Sequence, residues 1–332
     1  MRSVFVRKSW VGFVFSVCVS LILFVGISSA QEKYPSKNIE LYIVMAPGGT
    51  IDALARIFAD ELSKLLNTFI SPINKPGASG TVGAAFVAQA KKDGYTLLAS
   101  SGSAMTLAPQ MLANVPFNTL HDFIPINIIG TSPNMIYVKN DSPFKSFEDL
   151  IDYARKNPDK LTYGTAGTGS DCHFFMEQLQ LYGNIKVSHV PFKGGGEVLP
   201  AVLGGHIDFG VSLMASVANQ LKAGAARGLV ISDDKRNPIF KDIPTTPEKG
   251  YPQQFINHWT ALFTPLGVSQ TVLDVLVPAA NRAIRTESFV KRVEGLGCSV
   301  KYFTVHDLRN FIAEEEKIAA TVSKEIKKKP VK

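Results

Sequence analysis

From Asn38 onward, short apolar runs of strand length alternate with segments whose apolar residues recur at helical spacing, joined by brief turns carrying glycine or proline. That alternation constrains the chain most: it predicts an α/β fold of helices laid on largely parallel sheets. Strands are expected at Ile39–Met45, Phe69–Ile73, Tyr95–Ser100, Leu161–Thr165, Val187–Pro191, Ile207–Val211, Gly228–Ser232 and Trp259–Phe263. Helices are expected between them, and three amphipathic ones close the chain, around Thr271–Arg285, Ser288–Gly295 and Val305–Lys328. Asp122–Val138, extended and punctuated by Pro125 and Pro133, and Lys241–Pro252, rich in proline and charge, read as crossovers. Two interrupted halves joined twice predict two lobes with a cleft between them. In open α/β sheets, ligands bind outside the carboxyl ends of the strands.

Three small-residue stretches fall at such ends. In the first, the apolar run Leu41–Met45 is broken by Pro47, Gly48 and Gly49, and Ile51, Leu54, Ala55, Phe58, Ala59 and Leu62 then recur at helical spacing. Thr50 or Asp52 can cap that helix. A strand, a glycine turn and a helix start leave several backbone N–H groups aimed at one point, and the helix dipole makes that point suit an anion. An ordinary βα turn, whose glycines only let the chain reverse, fits the stretch equally well. The others are Ser101-Gly102-Ser103 and Ala166-Gly167-Thr168-Gly169-Ser170. Together they offer backbone N–H groups and the hydroxyls of Thr50, Ser101, Ser103, Thr165, Thr168 and Ser170, an inventory that binds carboxylate without chemistry. Asp52 looks out of place in an anion site. It is better suited to capping its own helix or holding a water, with Arg56 as its partner one turn on.

The first thirty residues stand apart. Arg2, Arg7 and Lys8 precede an apolar run, Trp10–Ile27, and Ser28-Ser29-Ala30 makes a small-residue cleavage site. This is a secretory signal peptide with cleavage expected after Ala30, and an uncleaved anchor is the alternative. The formal charge of +7 loses three cations with the leader, leaving +4, much of it on Lys324, Lys327, Lys328, Lys329 and Lys332. A solvated helix end explains that run. Basic and aromatic residues do not interleave elsewhere, so nucleic acid is not an expected partner. Cys172 and Cys298 remain after cleavage, without metal spacing, and two buried thiols are expected ahead of a bridge.

Familiar catalytic and cofactor motifs are missing. There is no G-x-x-x-x-G-K-[ST], no G-x-S-x-G and no H-E-x-x-H, and the run from Gly167 lacks the third glycine of a dinucleotide turn. No cofactor and no metal are expected, since His121, His189, His206, His258 and His306 are scattered. Ser170 and His173, three apart at a helix start, raise a hydrolase as the alternative from a different class. That reading lacks an obvious acid for His173, and Ser170 reads more naturally as an N-cap.

The ordered set Ala46-Pro47-Gly48-Gly49-x-x-Asp52, Lys75-Pro76-Gly77-Ala78, Asp93-Gly94-Tyr95-Thr96, Gly167-x-Gly169-Ser170-x-x-His173 and His189-Val190-Pro191-Phe192-Lys193-Gly194 resembles a known family. It is similar to the periplasmic solute-binding components of tripartite tricarboxylate transporters, the TctC or Bug family, over about residues 34–317. The resemblance implies a two-lobed periplasmic binding protein fold of type II, with residues 33–131 and 255–332 in one lobe and 132–254 in the other. It implies a monomeric, non-enzymatic receptor in the periplasm that presents a small organic carboxylate to two integral membrane permease subunits. A carboxylate sensor without its own permease is the near alternative. In the family the first turn and the glycine loop of the other lobe hold the ligand carboxylate. Those positions are Pro47, Gly48, Gly49, Thr50 and Asp52, and Ala166, Gly167, Thr168, Gly169 and Ser170, with His173 nearby. Phe192 stands where tyrosine is usual, Cys172 is not a family feature, and the Ser101-Gly102-Ser103 stretch is variable.

Overall fold

Two five-stranded sheets carry the chain. A computed structural model describes residues 33–192, 195–252 and 255–328; the expected leader, Lys193-Gly194 and the last lysines lie outside these. The first sheet contains β1 (Ile39–Ile43), β2 (Ile70–Asn74), β3 (Thr96–Ser101), β4 (Phe123–Ser132) and β10 (His258–Pro265), in the order β2-β1-β3-β10-β4. The second contains β5 (Asn134–Lys139), β6 (Thr162–Thr165), β7 (Ser188–Pro191), β8 (Phe209–Leu213) and β9 (Ala226–Ile231), in the order β7-β6-β8-β5-β9. The helices are α1 (Thr50–Leu66), α2 (Thr81–Ala88), α3 (Ala108–Met111), α4 (Thr119–Asp122), α5 (Phe147–Lys156), α6 (Asp171–Gly183), α7 (Gly195–Leu203), α8 (Met214–Lys222), α9 (Gln270–Ala283), α10 (Glu287–Gly295) and α11 (Val305–Lys328).

Local chemistry explains several boundaries. Asn67 ends α1 in the left-handed conformation that suits asparagine after a helix. At α5 a capping box closes both ways. The Ser146 hydroxyl accepts from the Asp149 N–H at 3.1 Å, and the Asp149 carboxylate accepts from the Ser146 N–H at 2.9 Å.

The sheets are mixed rather than largely parallel. β1 pairs in parallel with β2 and β3, and β6 with β7 and β8. β10 runs antiparallel to β3 and β4, and β5 antiparallel to β8 and β9. The reversals occur where the chain has just crossed between sheets. A helix returns a strand in parallel, whereas a direct crossing need not. The stretch read as one extended crossover, Asp122–Val138, is two strands in two sheets, with Pro133 between them. Proline has no N–H to give a ladder, so the break falls there. The return crossing runs from the end of β9 to the start of β10.

Ser101-Gly102-Ser103 is not a loop. Gly102 has helical dihedrals (φ −52°, ψ −41°) and leads straight into the turn Ser103–Leu107, which α3 extends. A Cβ on Gly102 would lie 2.8 Å from Trp259 Nε1 and 3.3 Å from Glu315 Oε2, so glycine is there for close approach.

Each sheet is covered on both faces. In the second, Phe147, Leu150 and Phe175 pack on one side and Val198, Val202 and Val217 on the other. A further cluster joins the lobes: Leu107, beyond β3, and Phe174 of α6 meet Ile256 and Ala319, Val322 and Ile326 of α11. The closing helix therefore packs on both β4 and α6. Cys172 and Cys298 are free and buried, and burial pushes both thiols up, Cys298 to about 12. Ellman's reagent is expected to titrate neither in the native protein lacking residues 1–30 and both after denaturation. A fast native reaction would show that these packing sites open.

Candidate functional site

Because β1, β2 and β3 are parallel, their carboxyl ends share one edge of the first sheet, and the turn 44–49 lies there. Gly49 is the N-cap of α1 and provides no side-chain cap, so the first N–H groups of the helix remain open at its amino end. Pro47, Gly48 and Gly49 are exposed and Thr50 is half-buried. A Cβ on Gly48 or Gly49 would meet nothing within 4 Å, so open space stands over this turn. Neither Thr50 nor Asp52 caps the helix. Asp52 is buried and staples the turn from below: its carboxylate accepts from the Gly48 N–H at 2.9 Å, Arg56 Nε at 2.9 Å and Asn74 Nδ2 at 2.8 Å. Asn74 also donates to the Met45 carbonyl at 2.8 Å. Burial pulls Asp52 upward, but the hydrogen bonds from Arg56, Gly48 and Asn74 outweigh it and hold the carboxyl below the usual range. The aspartate faces its own loop, which resolves its presence beside a turn expected to take an anion.

The loop after β6 is held by its own side chains. Ser170 is the N-cap of α6, its hydroxyl accepting from the His173 N–H at 3.3 Å and donating to the Gly167 carbonyl at 2.8 Å. The Gly169 N–H donates to His173 Nδ1 at 3.1 Å, so His173 pins this loop through its ring. The Thr165 hydroxyl lies 2.7 Å from His189 Nε2. The rings of His173 and His189 stack at 4.2 Å, and Tyr163 stacks on His189 at 4.8 Å. An acid does serve His173: Glu177 stands one turn on, 3.7 Å from Nε2, an i,i+4 spacing visible in the sequence. The serine and histidine side chains thus engage the loop backbone instead of forming a nucleophile–base pair. Gly167 (φ +116°) and Gly169 (φ +83°) take conformations that favour glycine, while Ala166 and Thr168 are exposed at the tip.

A buried polar chain connects the two edges. Ser101, at the end of β3, pairs with Thr260 of β10. The Thr260 hydroxyl lies 3.2 Å from His258 Nε2, and His258 Nδ1 lies 2.8 Å from Asp171, the first residue of α6. With the proton on Nδ1 the imidazole donates to the carboxylate and accepts from the threonine, satisfying both contacts. The loop 166–170 is therefore tethered at the same sheet edge as Ser101. Ser101 is wholly buried and its hydroxyl has no hydrogen-bond partner among the described residues; Ser103 is also buried. Sequence reasoning missed His258 and Asp171, which are far apart in the chain. It also missed Met111, whose Cγ would lie 3.7 Å from a Cβ on Gly169 and which brings α3 against the second-lobe loop.

The sequence model described as tripartite tricarboxylate transporter family receptor matches residues 54–328. BugT of Bordetella pertussis is 28% identical over 287 residues, 86% of this chain and 88% of that one. Among solved structures, MatC from Rhodopseudomonas palustris with bound malate superposes with a TM-score of 0.75 at 27% identity, covering 87% of this chain and 100% of that one. An R. palustris protein with adipate gives a TM-score of 0.78 at 25% identity, covering 87% and 98%.

Proposed function

Since the chain belongs to the tripartite tricarboxylate transporter receptor family, we propose that it captures a small carboxylate in the periplasm and presents it to two integral membrane permease subunits. The observation that carries the reading is the uncapped amino end of α1, opening beneath Gly48 and Gly49 on the edge to which Asp171 and His258 tether the second-lobe loop. Such an end supplies N–H donors and partial positive charge, while the Asp52 carboxylate of the first turn is taken up by the Gly48 N–H, Arg56 and Asn74. Three or four charge-assisted hydrogen bonds, each worth about 1.5–3 kcal/mol, support affinity on the order of micromolar after ordering costs.

In this reading the contacts come from Pro47, Gly48, Gly49 and Thr50 on one side and Ala166, Gly167, Thr168 and Gly169 on the other. Ser101 and Ser103 line the edge between them. Asp52, Ser170, Thr165 and His173 hold the two loops in shape. The lobes divide at the two crossings, after Ser132 and between β9 and β10, binding closes them as a monomer, and residues 1–30 direct export. Malate and adipate, bound by two relatives, make dicarboxylates the first ligands to try.

A thermal-shift screen of the exported protein against mono-, di- and tricarboxylates tests the proposal. A ligand at a hundred times its dissociation constant stabilises the native state by about 2.7 kcal/mol, a shift of several degrees. If neutral sugars raised the melting temperature and no carboxylate did, the carboxylate assignment would fail.

A further inference from the structure

A cavity of about 310 Å³ opens where the chain crosses between the sheets; none of the loop residues discussed above lines it, although His258 of the tether does. Thr131, Ser132 and Pro133 of the first crossing form part of its wall, and Asp233, Asp234 and Asn257 of the return crossing another part. Its apolar side is aromatic. The Trp259 and Phe311 rings lie 6.1 Å apart and Phe311 and Phe303 5.5 Å apart, all three lining the space with Ile128 and Ile318. Its charged side is acidic. Asp233 and Asp234 share Lys301, at 3.4 Å and 3.5 Å, and Glu314, which also lines the space, pairs with Lys317 at 2.6 Å. The Glu315 carboxyl is already engaged by Trp259 Nε1 and the Thr106 hydroxyl. In the same wall, Ser132 is fully buried and its hydroxyl finds no hydrogen-bonding geometry among the described residues, with only the Cys298 thiol nearby.

We propose that this cavity is a second binding site, for a small organic ammonium ion carrying an aromatic ring. Three carboxylates against two lysines leave this side net negative, which repels an anion and attracts a cation. The faces of Trp259, Phe303 and Phe311 hold negative quadrupole charge, which favours an ammonium and its attached apolar group together. A space of this size with a few polar groups on one side is typical of small-ligand sites. Because both crossings line it, an occupant touches the segments that join the lobes. The site is separate from the carboxylate reading, and its test needs no carboxylate.

Trp259 supplies the readout. The sequence has two tryptophans, and Trp10 lies in the expected leader, so Trp259 reports alone in the exported protein. Titration with 2-phenylethylamine is expected to change its fluorescence saturably. The neutral 2-phenylethanol should bind at least about tenfold more weakly, about 1.4 kcal/mol. Asp234 and Glu314 are exposed, so Asp234→Asn with Glu314→Gln should melt as the parent does and lose that preference. Equal response to amine and alcohol in the parent, or an undiminished preference in the double variant, would overturn the proposal.

Discussion

Gly49→Leu is expected to weaken carboxylate binding at least about a hundredfold while leaving the protein folded. Gly49 has ordinary extended dihedrals (φ −84°, ψ 172°), so a side chain adds no backbone strain. Its Cβ would enter open space, so nothing in the fold need move. The exchange costs at most about 1 kcal/mol, because leucine is a poorer N-cap residue than glycine. The isobutyl group would stand over the first N–H groups of α1, where an anion would approach. Losing two charge-assisted hydrogen bonds at about 1.5 kcal/mol each accounts for the hundredfold. Calorimetry with malate, adipate or whichever carboxylate stabilises the parent measures the loss, and Gly49→Ala should give a smaller one. Unchanged affinity in the leucine variant would move the anion site elsewhere. Gly167 makes a poor control. Its φ of +116° and a Cβ distance of 3.2 Å to the Phe192 carbonyl mean that a bulky residue strains the loop whether or not ligand binds there.

Local signals carried the fold a long way. The helical spacing from Ile51 to Leu62 falls within α1, Thr50–Leu66, and the hydroxyl of Ser146 with the acids Glu148 and Asp149 is a helix-start pattern that α5 obeys. Both rest on contacts within a few residues, which are visible in a sequence. The failures involve the rest of the molecule. Ser101-Gly102-Ser103 has the composition of a turn, yet it is the junction of a strand with a helical turn. What decides it is the approach of Trp259 and Glu315, more than 150 residues later. The parallel sheets were read from strand–helix alternation, which does not report the two strands that follow direct crossings.

The hydroxyl inventory at the candidate site was legible as composition and illegible as availability. Thr165 and Ser170 look like ligand donors in the sequence, and in the fold both oxygens contact the Gly167 carbonyl of their own loop, Thr165 also meeting His189 of β7. The tether between Asp171 and His258 needs both lobes assembled before it exists. Glu177 is a different case. Its i,i+4 position relative to His173 is readable in the sequence, and its role there is structural.

Glu315→Gln is expected to change how stability depends on pH. Glu315 lies inside α11, fully buried. That burial raises its carboxyl to about 8, despite the opposing hydrogen bonds from Thr106 and Trp259 Nε1, and the nearby Asp171 charge adds to the rise. The unfolded chain releases this proton near the ordinary value of 4.5, whereas the folded chain keeps it to about 8. A folded pKa above the unfolded one contributes stability that is complete below about 4.5 and is lost as pH rises to about 8. Each pH unit between costs about 1.4 kcal/mol. Asp233, pushed to about 6 by burial, adds to the slope only up to that pH, so the interval from about 6 to about 8 isolates Glu315 best. Asp52 acts with the opposite sign and outside this interval. Its depressed carboxyl stabilises the fold above the usual aspartate range, and that contribution disappears only as pH falls through the depressed value. Urea unfolding at about pH 6 and about pH 8 should therefore show the parent losing a few kcal/mol that Glu315→Gln retains. Glutamine keeps an acceptor for the indole N–H and cannot ionise, so the variant should overtake the parent toward the alkaline end. Parallel pH profiles for the two proteins would mean that Glu315 is ionised in the fold, and that Trp259 and Thr106 are stabilising a buried charge instead of a neutral acid.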